Sequence, residues 1–473
     1  MNSTKLLDRW TRKDAFQSSR AMSSCIALVV LVTILVVSTP ASAGHGRASR
    51  ERRSPRPNVL IFVTDDQRFD TMKHMRATRR LIGRKGVTYK NAFATTPLCC
   101  PARASIMTGR YAHNHNVRRN FQQRKLDMST TLQHHLHEAG YFTSIVGKFL
   151  NNWNPTVRPP DFDQSVLLTP VNSPFAQGTN AYNDSLFGLN GRVRRVKRYS
   201  TDFIRSRTTR ILRKFNRRDR RPWMMFVKPF APHNPALPAG RHEEAPVGRW
   251  RSNPAIRNRN RSEKAPDVRS RRFGPKPEFA TSQKRTLLAV DELVARVFKS
   301  LNRLGEARRT LVIFMSDNGI FWGEHRLQGK RFPYTHSIKI PLLMRWPGHI
   351  RPRSRTGRLV GNIDIAPTVY RATGVKPAHV MDGRSLLSGT RRRFILLEHW
   401  EKTQWRSLRS HRHQYIEYYK DGELRFRELY NLKRDPWQLN NLLRSHPRRH
   451  RDIAARLHRL LVRKAACRGA ECF

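Results

Sequence analysis

The chain has 473 residues, of which 92 are Lys or Arg and 34 are Asp or Glu, giving a formal charge of +58 at pH 7. Apolar residues make up 38% and aromatic residues 9%, too many for a disordered basic tail and too few for a bundle of membrane spans. The charge attracts polyanions, whether nucleic acid, anionic lipid or acidic polysaccharide, and five cysteines exclude a small disulfide-built scaffold.

Residues 1–24 carry Lys5, Arg9, Arg12, Lys13 and Arg20, an apolar run follows from Cys25 to Val37, and the next segment ends in Ala41-Ser42-Ala43. This is the layout of a secretory signal cleaved after Ala43, with an uncleaved N-terminal membrane anchor as the alternative. Export takes nucleic acid off the list of physiological targets and favours extracellular polyanions. Residues 44–57 are polar, basic and Pro-containing, and read as a linker.

Asn58–Val63 is a short apolar run that predicts a buried strand, delivering Asp65-Asp66 at its end. Pro101 and Gly109 bracket a helix that places Cys99 at its N-terminus and Arg103 one turn on. Ser129–Glu138 reads as a helix and Tyr141–Val146 as a strand leading into Gly147-Lys148. Trp223–Val227 predicts a further buried strand, running towards His233. Ser282–Leu304 has helical apolar spacing, and Thr310–Met315 is a strand ending in Ser316-Asp317-Asn318-Gly319. Alternating strands and helices give an α/β sheet, whose ligands bind at the C-terminal strand edge. Arg192–Arg221 and Arg241–Lys276, dense in Arg, Pro and Asn, read as surface insertions or loops, not core. The final region contains a hairpin turning at Asp421-Gly422, a basic closing helix, and Cys467 and Cys472, which are near enough in sequence to pair.

Adjacent carboxylates at a sheet edge repel unless a cation sits between them, and oxygen ligands favour Ca²⁺ or Mg²⁺. Asp65-Asp66 and Asp317-Asn318 supply two such pairs from two strands. Cys99 at a helix N-terminus is, on its own, a thiol whose pKa the helix dipole lowers.

Cys99-Cys100-Pro101-Ala102-Arg103, followed by Thr108-Gly109-Arg110, resembles the sulfatase family. The resemblance runs in order through Thr64–Gln67, Gly147-Lys148, Ala231–Pro235, Ser316–Gly319, Gly323–His325, Gly329-Lys330, Asp364–Thr368 and Glu428–Leu432. It implies an α/β fold with a large mixed sheet flanked by helices, alkaline-phosphatase-like, and a smaller C-terminal α+β region carrying an antiparallel sheet. It divides the chain into a signal peptide (1–43), a linker (44–57), a catalytic domain (58–385) and a C-terminal subdomain (386–473). It also implies that Cys99 is converted to formylglycine (3-oxoalanine) by a formylglycine-generating enzyme. Asp65, Asp66, Asp317 and Asn318, with the residue at 99, match ligands of one Ca²⁺. Arg103, Lys148, His233 and Lys330 match groups that steady the hydrated aldehyde, hold sulfate oxygens and move protons, and His115 is a candidate substrate contact. Many arylsulfatases carry a His two residues after the Lys, whereas here the segment is Lys148-Phe149-Leu150. Gly147–Asn151 instead looks like the branch acting on glucosamine 6-sulfate groups of glycosaminoglycans. The expectation is an exported sulfatase acting on sulfated carbohydrate, with no physiological nucleic-acid partner and an unassigned oligomeric state. The alternatives are a phosphonate monoester hydrolase or phosphodiesterase on the same fold, and a non-catalytic polyanion-binding protein in which Cys99 stays a thiol.

Overall fold

The computed structural model describes residues 56–170, 173–217, 221–389 and 391–473. The expected signal peptide and most of the linker lie outside them. The strands are β1 (Asn58–Thr64), β2 (Val87–Phe93), β3 (Phe142–Gly147), β4 (Gln164–Leu168), β5 (Ser185–Leu189), β6 (Arg192–Val196), β7 (Trp223–Lys228) and β8 (Thr310–Ser316). Next, β9 (Phe321–Trp322) and β10 (Gln328–Gly329) pair as a small ribbon. β11 (Lys339–Ile340), β12 (Leu342–Arg345) and β13 (Ser354–Gly361) return to the main sheet. Its order is β11-β2-β12-β8-β1-β7-β3-β4-β5-β6, with β13 on β2.

The centre of this sheet, β8-β1-β7-β3-β4, is parallel, and antiparallel pairings lie on both sides of it. Central parallel strands are covered on both faces, which is why they read as unbroken apolar runs. Alternate residues of β1 serve the two faces. Val59, Ile61 and Val63 pack with residues of the helices Cys99–Thr108, Leu132–Glu138 and Ile365–Thr373. Leu60 and Phe62 pack with Phe203, Ile204, Leu293 and Val297 of the helices Ser200–Arg217 and Pro277–Arg303. The expected mixed α/β sheet flanked by helices is therefore present.

β14 (Ile395–His399), β15 (Gln404–Arg409), β16 (His413–Lys420) and β17 (Glu423–Asn431) form the expected antiparallel C-terminal sheet. Asp421 and Gly422 both take positive φ, 53° and 82°, as a two-residue hairpin turn requires. The helix Pro447–Ala465 lays Leu457 and Leu461 against Leu396, Leu408 and Tyr415, and Cys467 is bonded to Cys472. Among the described residues no helix is long and apolar enough to cross a membrane.

One expectation is overturned. Arg192–Arg221 is not a surface insertion: it contributes β6 and the helix Ser200–Arg217. Phe203, Ile204, Ile211, Leu212 and Phe215 recur at helical spacing and are buried, while arginines between them take the outer face. The density of Arg masks that period in the sequence. Leu212→Ala should therefore cost about 2–5 kcal/mol of unfolding free energy, and exposed Arg213→Ala under about 0.5 kcal/mol. Equal and small losses in urea titrations would show that the helix does not pack.

Candidate active site

The site begins with strand register. β1 and β8 are parallel neighbours, with Thr64 opposite Ser316, so Asp65-Asp66 and Asp317-Asn318 leave the sheet side by side. Hydrogen bonds fix that juxtaposition. Gln67 N donates to Ser316 Oγ at 2.9 Å, Asp66 N to Asp317 Oδ1 at 3.1 Å, and Asn318 Nδ2 to Asp66 Oδ1 at 2.5 Å.

β3 brings the first lysine. Gly147 adopts φ 115°, and a Cβ there would lie 2.0 Å from Lys228 O of β7, so no other residue fits this crossing. Lys148 N then donates to Lys228 O at 2.8 Å, and Lys148 Nζ reaches Asp65 Oδ2 at 2.5 Å. Phe149 and Leu150, where a histidine was noted as missing, are buried in the core, with Phe149 edge-on to Trp153.

The helix Cys99–Thr108 starts at Cys99 and stops at left-handed Gly109, as its sequence predicts. Arg103 is fully buried. Its Nε donates to Asp317 Oδ2 at 2.9 Å, one terminal nitrogen donates to Lys148 O at 2.6 Å, and the other lies 3.3 Å from Asp65 Oδ2. Cys99 Sγ stands 3.4 Å from Asp65 Oδ1 and 2.9 Å from Lys330 Nζ, and Lys330 also makes a close ion pair with Asp66. His233 Nδ1 faces Asn234 O at 2.7 Å, which leaves Nε2 3.6 Å from Asp66 Oδ2.

The charges in this cluster are mutually determined. Burial favours a neutral Asp65, but Lys148, His233, Arg103 and Lys330 together hold its carboxyl well below the usual range. Burial and the neighbouring Asp65 push Asp317 up. Lys330 is raised despite burial, because Asp66 and Cys99 face it. Cys99 is pushed up to about 12, first by burial and then by Asp65. Burial and Asp65 thus oppose the lowering that helix position alone predicts. Arg103, Lys148 and Lys330 balance Asp65, Asp66 and Asp317.

A cavity of about 530 Å³ opens above the cluster, with Asp66, His233 and Lys330 in its wall. Arg271, Phe273, Lys276 and Arg331 also line it, and sequence reasoning missed all four. Three of them come from the Arg-rich segment 241–276, which the sequence marks as surface insertion or loop and which is loop backbone at these positions. Gly323, at φ 113°, lets that segment approach: a Cβ there would meet Gly274 O at 2.8 Å. Phe273 N and Lys276 N then donate to Arg326 O and Trp322 O. Only the pairing of this stretch with Gly323–Arg326 could have signalled its position. By contrast, the structure does not bring His115 to the cavity. It is 3% exposed, its Nε2 meets Ser105 Oγ at 3.0 Å, and its Nδ1 accepts from Val117 N.

The order of these parts along the chain matches a known domain: a family model described as Sulfatase covers residues 57–375. The chain belongs to the sulfatase family. A second model, described as N-sulphoglucosamine sulphohydrolase, C-terminal, covers residues 323–466 of this sulfatase. It is 31% identical to the extracellular sulfatase SULF-1 homolog of Drosophila melanogaster, over 76% of this chain and 34% of that protein. It is 32% identical to N-acetylglucosamine-6-sulfatase of Homo sapiens, over 70% of this chain and 64% of that protein. The chain thus spans about a third to two thirds of the length of these relatives. A protein solved in complex with its substrate D-glucosamine-2-N,6-O-disulfate superposes with a TM-score of 0.76 at 22% identity, over 86% of this chain and 97% of that one.

Removing the cation on which two buried carboxylates depend should be costly. Arg103→Met should lower unfolding free energy by about 3–5 kcal/mol, with Arg103→Lys intermediate. A urea midpoint unchanged in Arg103→Met would mean that the pairing with Asp317 and Asp65 carries no weight.

Proposed function

We propose that this chain is a sulfuric ester hydrolase acting on sulfated carbohydrate, with glucosamine 6-sulfate groups of glycosaminoglycans as its substrates. The observation that carries the reading is the convergence of Cys99, Asp65, Asp66 and Lys330 beneath a cationic cavity. The names of the human and Drosophila relatives agree with it, and the latter also favours an exported protein.

The donor set fits a hard divalent ion. Asn318 Oδ1 is buried and accepts no hydrogen bond, while its Nδ2 donates to the Asp66 carboxylate. Potential ligand atoms of Asp65, Asp66, Cys99 and His233 all lie within 4.8 Å of one another. Asp65, Asp66, Asp317 and Asn318, with the residue at position 99, would hold Ca²⁺. Bound there, the dication supplies positive charge that offsets the charge on sulfate. Formylglycine made from Cys99 would supply a hydrated aldehyde as an oxygen nucleophile towards sulfur.

The remaining groups divide the work by position. Lys330, kept charged by Asp66, binds a sulfate oxygen at the cavity wall. Lys148 and Arg103 fix Asp65 and Asp317 beneath it, so the donors are organised before substrate arrives. His233 has Nδ1 donating to Asn234 O, so its Nε2 passes a proton to the leaving alcohol oxygen only as imidazolium, a form that burial opposes and that Asp66 and Asp65 favour. Arg271 and Lys276 add positive charge along the approach. The chain matures with a formylglycine-generating enzyme, and residues 1–43 direct export.

The test is desulfation of N-acetylglucosamine 6-sulfate by protein produced with the maturation enzyme. Cys99→Ala should lower turnover by roughly a thousandfold or more, whereas Cys100→Ala should keep most of it. Chelation should abolish turnover and added Ca²⁺ restore it. An unmodified Cys99 peptide by mass spectrometry, at undiminished activity, would overturn the mechanism. Hydrolysis of an aryl phosphonate with no sulfate release would overturn the substrate assignment.

A further inference from the structure

A second cavity, of about 660 Å³, is lined by Arg118, Arg119, Lys125, Gln122, Gln404 and Trp400. No carboxylate lines it, and among the described residues these three cations form no salt bridge. We propose that this cavity is a second anion subsite, which takes a further sulfate or carboxylate of the same glycan chain whose reacting sulfate occupies the first cavity. The proposal rests on the sulfatase reading above and extends it from a sulfate ester to a chain carrying several anionic groups.

Two observations separate this cavity from the general excess of surface arginine. The first is that its two arginines are held in place. Gln122 Oε1 accepts from both Arg118 N and Arg119 N at 3.1 Å. The Arg118 guanidinium lies 4.5 Å from the Trp400 ring centroid, and Arg119 Nε donates to Trp400 O at 3.2 Å. Arg118 Nε and Trp400 Nε1 are both buried N–H donors with no acceptor. Burying donors without partners costs free energy that an anionic ligand bound alongside would help offset. A guanidinium already oriented also loses less entropy on binding than a free one.

The second observation is location. Asn120 follows Arg119 directly, and its Oδ1 accepts from Cys100 N at 3.0 Å, beside the residue to be modified. Asn120 N donates to Glu401 Oε1 at 3.2 Å, and Glu401 pairs with Arg331 Nε, also at 3.2 Å. Arg331 is in the wall of the first cavity, next to Lys330. The carboxylate of Glu401, which links the two segments, is thus paired with Arg331. A polyanion seated over Lys330 and His233 can cross Arg331 and meet Arg118, Arg119 and Lys125 without facing a free negative charge.

The test combines turnover with direct binding. Arg119→Ser/Lys125→Ser should leave hydrolysis of 4-nitrophenyl sulfate within about twofold of the parent, yet raise KM for a heparin-derived hexasaccharide roughly tenfold. The same pair, placed in a Cys99→Ala background, should bind the hexasaccharide roughly tenfold more weakly by calorimetry, with a shallower salt dependence. Because binding is read without turnover, it decides the subsite even if no sulfate ester proves to be a substrate. Lys125→Ser alone, at an exposed position, should show part of the loss if the double variant perturbs the loop. Arg192→Ser/Arg194→Ser, on exposed β6, is the control for bulk charge. An equal loss in that control, no loss in the subsite variants, or equal binding of a fully desulfated hexasaccharide would each overturn the proposal.

Discussion

Three buried carboxylates at the ends of two neighbouring parallel strands are the constraint on which this molecule turns. Asp65, Asp66 and Asp317 cannot stay charged in a dry interior unless cations are brought to them. The fold supplies those cations from three separate elements: Arg103 from a helix, Lys148 from the end of β3, and Lys330 from the loop after β10. Each arrives because backbone geometry permits it, and Gly147 is the clearest case, since any side chain there would strike Lys228 O. Electroneutrality within the cluster leaves an added divalent ion free to make the site net positive, which a sulfate ester requires.

The same accounting explains why an unmodified cysteine is a poor nucleophile at position 99. Its neighbours include Asp65 as well as Lys330, and it is buried, so thiolate formation is opposed on two counts. A helix N-terminus lowers a thiol pKa only where these opposing effects are smaller. Burial and Asp65 therefore act against the helix dipole at this position.

The large positive charge resolves into unlike parts. Some of it neutralises the buried carboxylates. Some covers the outer face of the helix Ser200–Arg217, where Arg241 pairs with Asp202 and Glu292. A further part is gathered at two cavities bridged by Arg331 and Glu401. Position relative to the carboxylate cluster, and not net charge, distinguishes these groups of arginines from one another.

The sequence alone determined the strands and the residues they deliver. Short apolar runs that end in polar residues read as strands covered on both faces of a parallel sheet, so Asp65-Asp66 and Asp317-Asn318 were legible as edge residues, and the spacing from Cys99 to Arg103 was legible as one helical turn. Tertiary structure decided everything that depends on contacts between distant segments. His115 looked available and is packed against Ser105 and Val117. Arg271, Phe273 and Lys276 looked like loop residues and line the cavity, because Gly323 admits their backbone. Arg118 and Trp400 lie far apart in sequence and meet only when the C-terminal sheet closes beside the catalytic turn. Periodicity reports which face a residue takes within its own element. What that face meets is set by packing between elements, which no local pattern encodes.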